Sequence, residues 1–139
     1  MEEENAVINK KTRLLYDGAQ FLCAGAVYNI LELIWRGYTH ISMFFLGGIC
    51  FIMMSRVSRS RHSFLAKSFL CAVLITLAEG MAGCVLNLWL GLNVWDYSGQ
   101  QFQLLGQVSL GFFFLWWALS IMALPICRAA DRWAAAFGV

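Results

Sequence analysis

The sequence predicts an all-α fold, a polytopic membrane helix bundle of about four transmembrane helices with both termini cytoplasmic. Of the 139 residues, 60% are hydrophobic and 13% are charged, whereas a soluble domain carries roughly 25% charged residues. The apolar residues are gathered in four long runs, and about 20 residues are needed to cross a bilayer. Because no run alternates between polar and apolar residues, helices are favoured over the strands of a membrane barrel.

The predicted spans cover roughly residues 15–35, 38–54, 64–92 and 103–127. Pro125 lies near the end of the fourth, where we expect the helix to stop. Together the spans form a single transmembrane domain over residues 1–139, with a short cytoplasmic N-terminal tail at 1–13 and a C-terminal interfacial segment at 128–139. The three glutamates near the start do not fit a cleavable signal peptide.

Basic residues predict how the spans are oriented. All Lys and Arg residues except Arg36 fall on one side of the predicted spans: Lys10, Lys11, Arg13, Arg56, Arg59, Arg61, Lys67, Arg128 and Arg132. Lys and Arg are enriched in cytoplasmic loops, so this side is predicted to be cytoplasmic and the chain to lie in the cell membrane. The net charge of +2 is too small to favour nucleic acid as a partner, and the expected surroundings are the lipid bilayer.

Two acids fall inside predicted spans. Glu32 lies within a turn of the outer end of the first span, and Glu79 lies about 13 residues, or roughly 20 Å, from the outer end of the third. An ionised carboxylate at bilayer depth costs at least about 2.5–3.5 kcal/mol. We therefore expect each acid to be protonated, paired with a partner, or in contact with a wet cavity.

Polar residues and glycines recur at helical spacing in every span, which is typical of faces that pack inside a bundle. The four stripes are Gly25, Asn29, Glu32 and Arg36; His40, Met43 and Gly47; Thr76, Glu79, Gly83 and Asn87; and Gln103, Gln107 and Gly111. Aromatic residues near the outer boundary are typical of an interfacial belt: Trp35, Trp89, Trp95 and Tyr97.

Combining depth with these stripes predicts a polar cavity that opens outward above Glu79. The candidate residues for binding a substrate or ion are Glu32, Arg36, His40, Glu79, Asn87, Trp95, Asp96, Tyr97 and Gln107. A purely structural interpretation stays open, in which Glu32 and Arg36 neutralise each other and the amide side chains only join helices. The five cysteines lie in apolar segments without a CxxC pair, so neither a disulfide framework nor a zinc site is indicated. We assign no catalytic residue, metal site or cofactor.

The strings GAVYNILELIWRGYTHISMFFLGG, AEGMAGCVLNLWLGLNVWDYS and GQVSLGFFFLWW resemble the bacterial membrane family labelled putative ABC-transporter type IV. The resemblance covers roughly residues 15–120. Its polar and aromatic pattern falls on Glu32, Trp35, Arg36, Gly37, Thr39, His40, Ser42, Met43, Glu79, Trp95, Asp96, Tyr97, Ser98, Gly106 and Gln107. The resemblance implies a transport role. No GxxxxGKS/T motif occurs in the chain, so an ATPase would be a separate partner that docks at the Arg56–Lys67 loop.

Three hypotheses follow. The first is a small transporter or channel-like protein, or a transporter subunit, which is expected to be a homo-oligomer or part of a membrane complex because four helices leave little room for a pathway. The second is a membrane scaffold or accessory subunit of a larger complex. The third is a membrane-embedded enzyme acting on a lipid-linked substrate, with Glu32 or Asp96 as base, His40 as acid and Arg36 binding phosphate.

Overall fold

Long apolar helices make up most of the protein. The computed structural model describes the backbone of residues 2–136 and the side chains of residues 10–136. Its elements, in order, are α1 (Glu2–Arg36), α2 (Ile41–Ser58), α3 (Phe64–Gly83), a π-helical segment (Cys84–Trp89), β1 (Gln103–Leu104), β2 (Val108–Ser109) and α4 (Leu110–Ala136). Four stretches are long and apolar enough to cross a membrane: Lys10–Arg36, Ile41–Ser58, Phe64–Trp89 and Leu110–Ala136. The predicted helical, multi-pass membrane fold is confirmed.

Large apolar side chains face outward while several polar side chains are buried. Trp35 is 83% exposed and Trp89 is 80% exposed, whereas Glu79 is 2% exposed. A soluble monomer rarely exposes so much apolar surface, but lipid tails solvate it well. The two exposed tryptophans lie at the ends of spans, as the predicted aromatic belt requires.

The turn between α1 and α2 follows from two local signals. Gly37 has φ of +75°, and its N–H donates a 3.0 Å hydrogen bond to the carbonyl of Leu33, which is the left-handed ending that glycine favours at a helix C-terminus. His40 then caps the start of α2, because its Nδ1 accepts a 3.2 Å hydrogen bond from the Ser42 N–H.

Glycines let α1 and α2 approach closely. A Cβ on Gly25 would lie 2.5 Å from the carbonyl oxygen of Phe44, and one on Gly47 would lie 2.6 Å from Cβ of Tyr28. Real Cβ atoms do not come this close to other heavy atoms, so each site accommodates only glycine without a shift. These contacts fit the predicted role of small residues at helix contacts in membranes.

The connection between α2 and α3 is held by side-chain caps. Ser63 is the N-cap of α3, and its side chain accepts a hydrogen bond from the Ala66 N–H. Lys67 is buried, and its Nζ donates a 2.7 Å hydrogen bond to the carbonyl of Ser58, the last residue of α2. A cation at this position also interacts favourably with the negative end of the helix dipole.

The start and end of the fourth span differ from the prediction. Residues 103–109 form a short antiparallel hairpin, in which Gln103 pairs with Ser109 and Leu104 with Val108. Leu105 and Gly106 have φ of 54° and 69°, and this left-handed backbone cannot continue a right-handed helix. The stripe predicted for a helix through Gln103 and Gln107 is therefore wrong.

The expected helix stop at Pro125 is also wrong, since α4 continues through it to Ala136. Proline removes one backbone donor, but in membrane helices neighbouring groups can satisfy the carbonyl that this leaves. α1 likewise extends over most of the predicted tail at 1–13. The cytoplasmic location of that tail, the interfacial location of 128–139 and the single-domain assignment stay predictions, and residues 1 and 137–139 lie outside the described residues.

The described chain divides into two compact units. One unit comprises the residues up to Ile52 together with those from Ile126 onward, and the other comprises Met53–Pro125. α2 and α4 each contribute residues to both units. Glu32, Arg36 and His40 belong to the first unit, whereas the remaining candidate site residues belong to the second, so the two groups are described separately below.

Candidate functional site

The buried acid of the third span is held by two hydrogen-bond donors. Glu79 lies on α3 and is 2% exposed. Its Oε1 accepts a 2.7 Å hydrogen bond from the Tyr97 hydroxyl, and its Oε2 accepts a 2.9 Å hydrogen bond from the Trp116 indole N–H. Hydrogen bonds to a carboxylate are stronger than those between neutral groups, and both oxygens of this buried group are satisfied.

The two donors come from different parts of the chain. Tyr97 lies in the connection between the third and fourth spans, whereas Trp116 lies in the second turn of α4. The Tyr97 ring stacks on Phe112, with the ring centroids 4.2 Å apart and the planes 16° from parallel. The Tyr97 N–H also donates a 2.7 Å hydrogen bond to the Gly106 carbonyl. The hydroxyl that contacts Glu79 is therefore fixed by both its ring and its backbone.

Asn87 organises the connection above this acid. Its Nδ2 donates to the Trp95 carbonyl at 2.9 Å and to Gln107 Oε1 at 2.8 Å. Its Oδ1 accepts a 2.7 Å hydrogen bond from the Val94 N–H. One buried amide thus joins the π-helical segment to two points of residues 90–109, which fold back onto the end of the third span.

Trp95 is part of this buried network. It is 4% exposed, and its Nε1 donates a 3.0 Å hydrogen bond to the Gln107 carbonyl. The predicted place of Trp95 in an aromatic belt is therefore wrong, because its indole N–H is satisfied by the protein backbone. Tyr97 also differs from a belt residue, since its hydroxyl is used by Glu79.

Gly83 allows this network to pack against α3. A Cβ at Gly83 would lie 2.5 Å from Gln107 Oε1, 2.9 Å from Gln107 Cβ and 3.0 Å from Trp95 Cζ2. The glycine predicted on the Glu79 stripe is therefore needed where the side chains of Gln107 and Trp95 cross the helix.

Asp96 lies outside the spans and shapes the connection. Its Oδ1 accepts a 2.8 Å hydrogen bond from the Ser98 N–H, and its Oδ2 accepts a 2.9 Å hydrogen bond from the Ser98 hydroxyl. The backbone hydrogen bond first, and the hydroxyl second, hold the pKa of the Asp96 carboxyl below its ordinary value. Asp96 is exposed and acts here as a turn-forming residue.

The acid of the first span forms a local ion pair. Arg36 donates to Oε1 of Glu32, and the Thr39 hydroxyl donates a 2.7 Å hydrogen bond to Oε2. The Arg36 guanidinium also lies over the Tyr38 ring, 4.8 Å from its centroid, within the range of a cation–π contact. The pair agrees with the structural interpretation left open for Glu32 and Arg36.

His40 uses one ring nitrogen locally. Its Nδ1 accepts from the Ser42 backbone N–H and lies 2.7 Å from the Ser42 hydroxyl, so the neutral ring carries its proton on Nε2. Among the described residues, no group of three or more His, Cys, Asp and Glu side chains could hold a metal ion.

Sequence reasoning found Glu79 and Tyr97 but did not connect them, and it missed Trp116 and the buried state of Lys67. The aromatic run FFFLWW signals only an apolar helix, so nothing in it singles out Trp116. The structure joins Glu79 to Tyr97 and joins Asn87, Trp95 and Gln107 to one another. The predicted outward-facing cavity stays a prediction.

These features define a polytopic α-helical membrane protein with a buried, hydrogen-bonded acid on α3. The chain belongs to the family described as Putative ABC-transporter type IV, whose family model matches residues 21–135. This confirms the resemblance seen in the sequence. No curated protein and no solved structure shows significant similarity to the chain.

Proposed function

We propose that the protein is a small transporter, or the membrane subunit of one, in which Glu79 takes up a proton or a small cation. The observation that carries this proposal is a carboxyl group that is 2% exposed, lies within the Phe64–Trp89 span and is held by Tyr97 and Trp116. Ionisable groups within membrane spans are expensive and commonly mark ion and proton pathways. The family's description as ABC-transporter-related supports the same class.

A purely structural joint would not need a carboxyl group here. The Asn87 amide joins three segments with neutral hydrogen bonds, and it has no charge to stabilise. A glutamate in the same unit carries the added cost of its ionised form. Its distinguishing property is that it can gain and lose a charge, and this property is what a coupling site requires.

The 90–109 connection is the proposed barrier between Glu79 and the predicted outer side. Tyr97 lies in this connection and contacts Glu79 directly, so a movement of the connection would open or close access to the acid. Glu32, Arg36 and His40 are proposed to contribute polar contacts at the α1–α2 turn. The outward-facing cavity above the acid is part of this proposal.

A membrane complex is the proposed working form. Arg56 is exposed in the last turn of α2, and Arg59 and Arg61 are exposed in the joint between α2 and α3. Basic side chains of this kind suit an acidic partner surface. We propose that a separate ATPase docks there, and that the membrane part is a homo-oligomer or a larger assembly.

Flux measurements test the proposal. The protein would be reconstituted in liposomes, and proton and cation flux would be followed with internal pH-sensitive and cation-sensitive dyes. Glu79→Gln is expected to abolish flux. The control Asp17→Asn removes a carboxyl group near the start of the first span, Lys10–Arg36, and is expected to retain flux. Unchanged flux in Glu79→Gln would rule out this role for the acid.

A scaffold or accessory subunit is the second candidate, and the satisfied hydrogen bonds of Asn87 and Gln107 favour it. These amides only join segments of the same unit. Absence of flux in the wild type, together with a stoichiometric partner that is retained by Glu79→Gln, would support the scaffold instead.

A further inference from the structure

We infer that the species taken up at Glu79 is a proton, carried on Oε1 opposite the Tyr97 hydroxyl, rather than a metal cation. This inference rests on the proposed function and names its substrate. It follows from the kinds of donor that surround the carboxyl group.

Trp116 determines which oxygen can carry the proton. The indole N–H is a donor only and cannot accept a hydrogen bond. It donates to Oε2 at 2.9 Å, so a proton on Oε2 could not be donated to the indole, whereas a proton on Oε1 can be donated to the Tyr97 oxygen. The proton is therefore assigned to Oε1, whose partner can accept it.

Tyr97 can serve both states of Oε1. A phenolic hydroxyl both donates and accepts, and the heavy atoms are 2.7 Å apart. When Glu79 is ionised the Tyr97 hydroxyl donates to Oε1, and when Glu79 is protonated the hydroxyl rotates and accepts from it. The same positions of Glu79, Tyr97 and Trp116 thus satisfy the neutral and the charged carboxyl group.

A metal cation fits these surroundings poorly. Oε2 of Glu79 faces the indole N–H of Trp116, which can only donate and whose hydrogen would repel a cation placed beside this oxygen. Hard cations such as Ca²⁺ take about six to eight oxygen ligands. The side chains of residues 10–136 include no cluster of three or more acidic, histidine or cysteine groups that would supply such ligands.

A route for the proton continues on the same face of α3. Thr76 lies three residues before Glu79, and at this spacing the two side chains share a helix face. The Thr76 hydroxyl is buried and has no hydrogen-bond partner among the described side chains and backbone. A water molecule bound here would satisfy this hydroxyl. We assign Thr76 as the next step from Glu79 toward the Arg56–Lys67 joint.

The transfer is balanced at each step. Tyr97 passes its hydroxyl proton to Oε1 of Glu79 while its oxygen takes one proton from a hydronium ion in the 90–109 connection, which leaves a water molecule. Glu79 then releases its proton to a water held by Thr76, and that water leaves as hydronium. Tyr97 and Glu79 return to their starting forms, one proton has moved, and no oxidant or reductant is involved. Tyr97 faces Glu79 from the connection, and Trp116 faces it from α4.

Infrared difference spectroscopy tests the inference on the reconstituted protein. Lowering the pH is expected to produce an infrared band from the carbonyl stretch of a protonated carboxyl group. We expect this band to be lost in Glu79→Gln, to shift in frequency in Tyr97→Phe and to stay unchanged in Trp117→Phe. Circular dichroism of each variant checks that the helices are retained.

The outcomes separate the inference from the proposed function. A band that disappears in Glu79→Gln supports proton binding even if the liposomes show no flux, in which case the transport proposal fails and the proton site stands. Cation-dependent flux that requires Glu79, with no protonated carboxyl band at any pH, would overturn the inference and leave the transport proposal intact.

Discussion

Asn87 and Gln107 are joined side chain to side chain, with Nδ2 of Asn87 donating a 2.8 Å hydrogen bond to Oε1 of Gln107 across 20 residues of sequence. Asn87 lies in the π-helical segment and Gln107 lies in the hairpin turn before α4. In this segment the helix has i→i+5 hydrogen bonds, one of which is the 2.9 Å bond from the Leu90 N–H to the Val85 carbonyl. The helix is therefore wider where the 90–109 connection begins. The Asn87–Gln107 hydrogen bond thus links the two ends of the 90–109 connection, and Tyr97, which contacts Glu79, lies within this connection.

Replacing Asn87 is expected to loosen this connection. Asn87→Leu leaves the Val94 N–H and the Trp95 carbonyl without their side-chain partner, and each buried polar group left unsatisfied costs about 1–3 kcal/mol. We expect a lower unfolding temperature in detergent, measured by circular dichroism. Gln101→Ala is the control, since Gln101 is exposed in the same connection. Equal unfolding temperatures for the two variants would contradict the assigned role of Asn87.

Gly83 should tolerate no larger residue. Gly83→Val places side-chain atoms where Gln107 and Trp95 lie, and overpacking of this kind costs about 1–3 kcal/mol. Thermal unfolding of the purified variant is expected to show this loss. The matched change Gly99→Ala has no heavy atom within 4 Å of the new Cβ and should leave the unfolding temperature near that of the wild type. A stable Gly83→Val protein would show that the network above α3 is not tightly packed.

Two neighbouring tryptophans offer a paired test of the acid's surroundings. Trp116→Phe removes the donor to Glu79 Oε2 and is expected to slow proton flux on the order of tenfold, because a hydrogen bond to a charged group is worth about 1.5–3 kcal/mol. Trp117→Phe removes a 3.0 Å bond to the Ser68 hydroxyl instead. We expect near wild-type flux in the second variant. Equal losses in both would mean that flux depends on packing rather than on the bond to Glu79.

Thr76 can be tested by removing only its hydroxyl. Thr76→Val keeps the shape of the side chain, and it is expected to reduce proton flux on the order of tenfold. This is less than the roughly 10²–10⁴-fold attributed to a positioned acid or base, because Thr76 holds a water and does not itself carry the charge. Thr76→Ser restores the hydroxyl and should restore flux in the same liposome assay. Full activity in Thr76→Val would show that Thr76 is not part of the proton route. The assignment of the proton to Oε1 would be unaffected, since the infrared measurement tests it separately.

Asp96 predicts an acid-dependent loosening of the connection. Its pKa is held below the ordinary value by the Ser98 N–H first and the Ser98 hydroxyl second. Since the folded pKa is lowered, the ionised carboxyl group contributes stability that is fully present above the unfolded pKa and is lost as the pH falls through the folded pKa. The unfolding temperature should therefore fall at acidic pH, less steeply in Ser98→Ala and least in Asp96→Asn. If the unfolding temperature of Asp96→Asn falls at acidic pH as steeply as that of the wild type, groups other than Asp96 cause the fall.

The helices could be predicted because a bilayer demands about 20 apolar residues per crossing, and runs of that length stand out. The predicted depth of Glu79 rests on the same count. The hairpin at 103–109 could not be predicted in this way, since Leu105 takes a φ of 54° that its residue type does not signal. Its apolar neighbours made the segment resemble the start of a span.

The site itself was only partly predictable. Helical spacing placed Glu79 and Gly83 on one face, and both are used there. The partners of Glu79 lie 18 and 37 residues away in sequence, so they depend on how the connection and α4 pack. Trp95 was misassigned because an aromatic residue near a span end is typical both of a lipid interface and of a buried contact, and only the fold distinguishes the two.

Lys67 limits how the joint between α2 and α3 can be studied. Its ammonium group is committed to the Ser58 carbonyl and is shielded from solvent, while the exposed cations of this joint are arginines. Amine-directed cross-linkers and acylating reagents will therefore not react with this surface, even when a second protein is bound to it. Guanidinium-selective reagents, or cysteines introduced at Arg56 or Arg61, are the chemistry with which a binding partner here can be mapped.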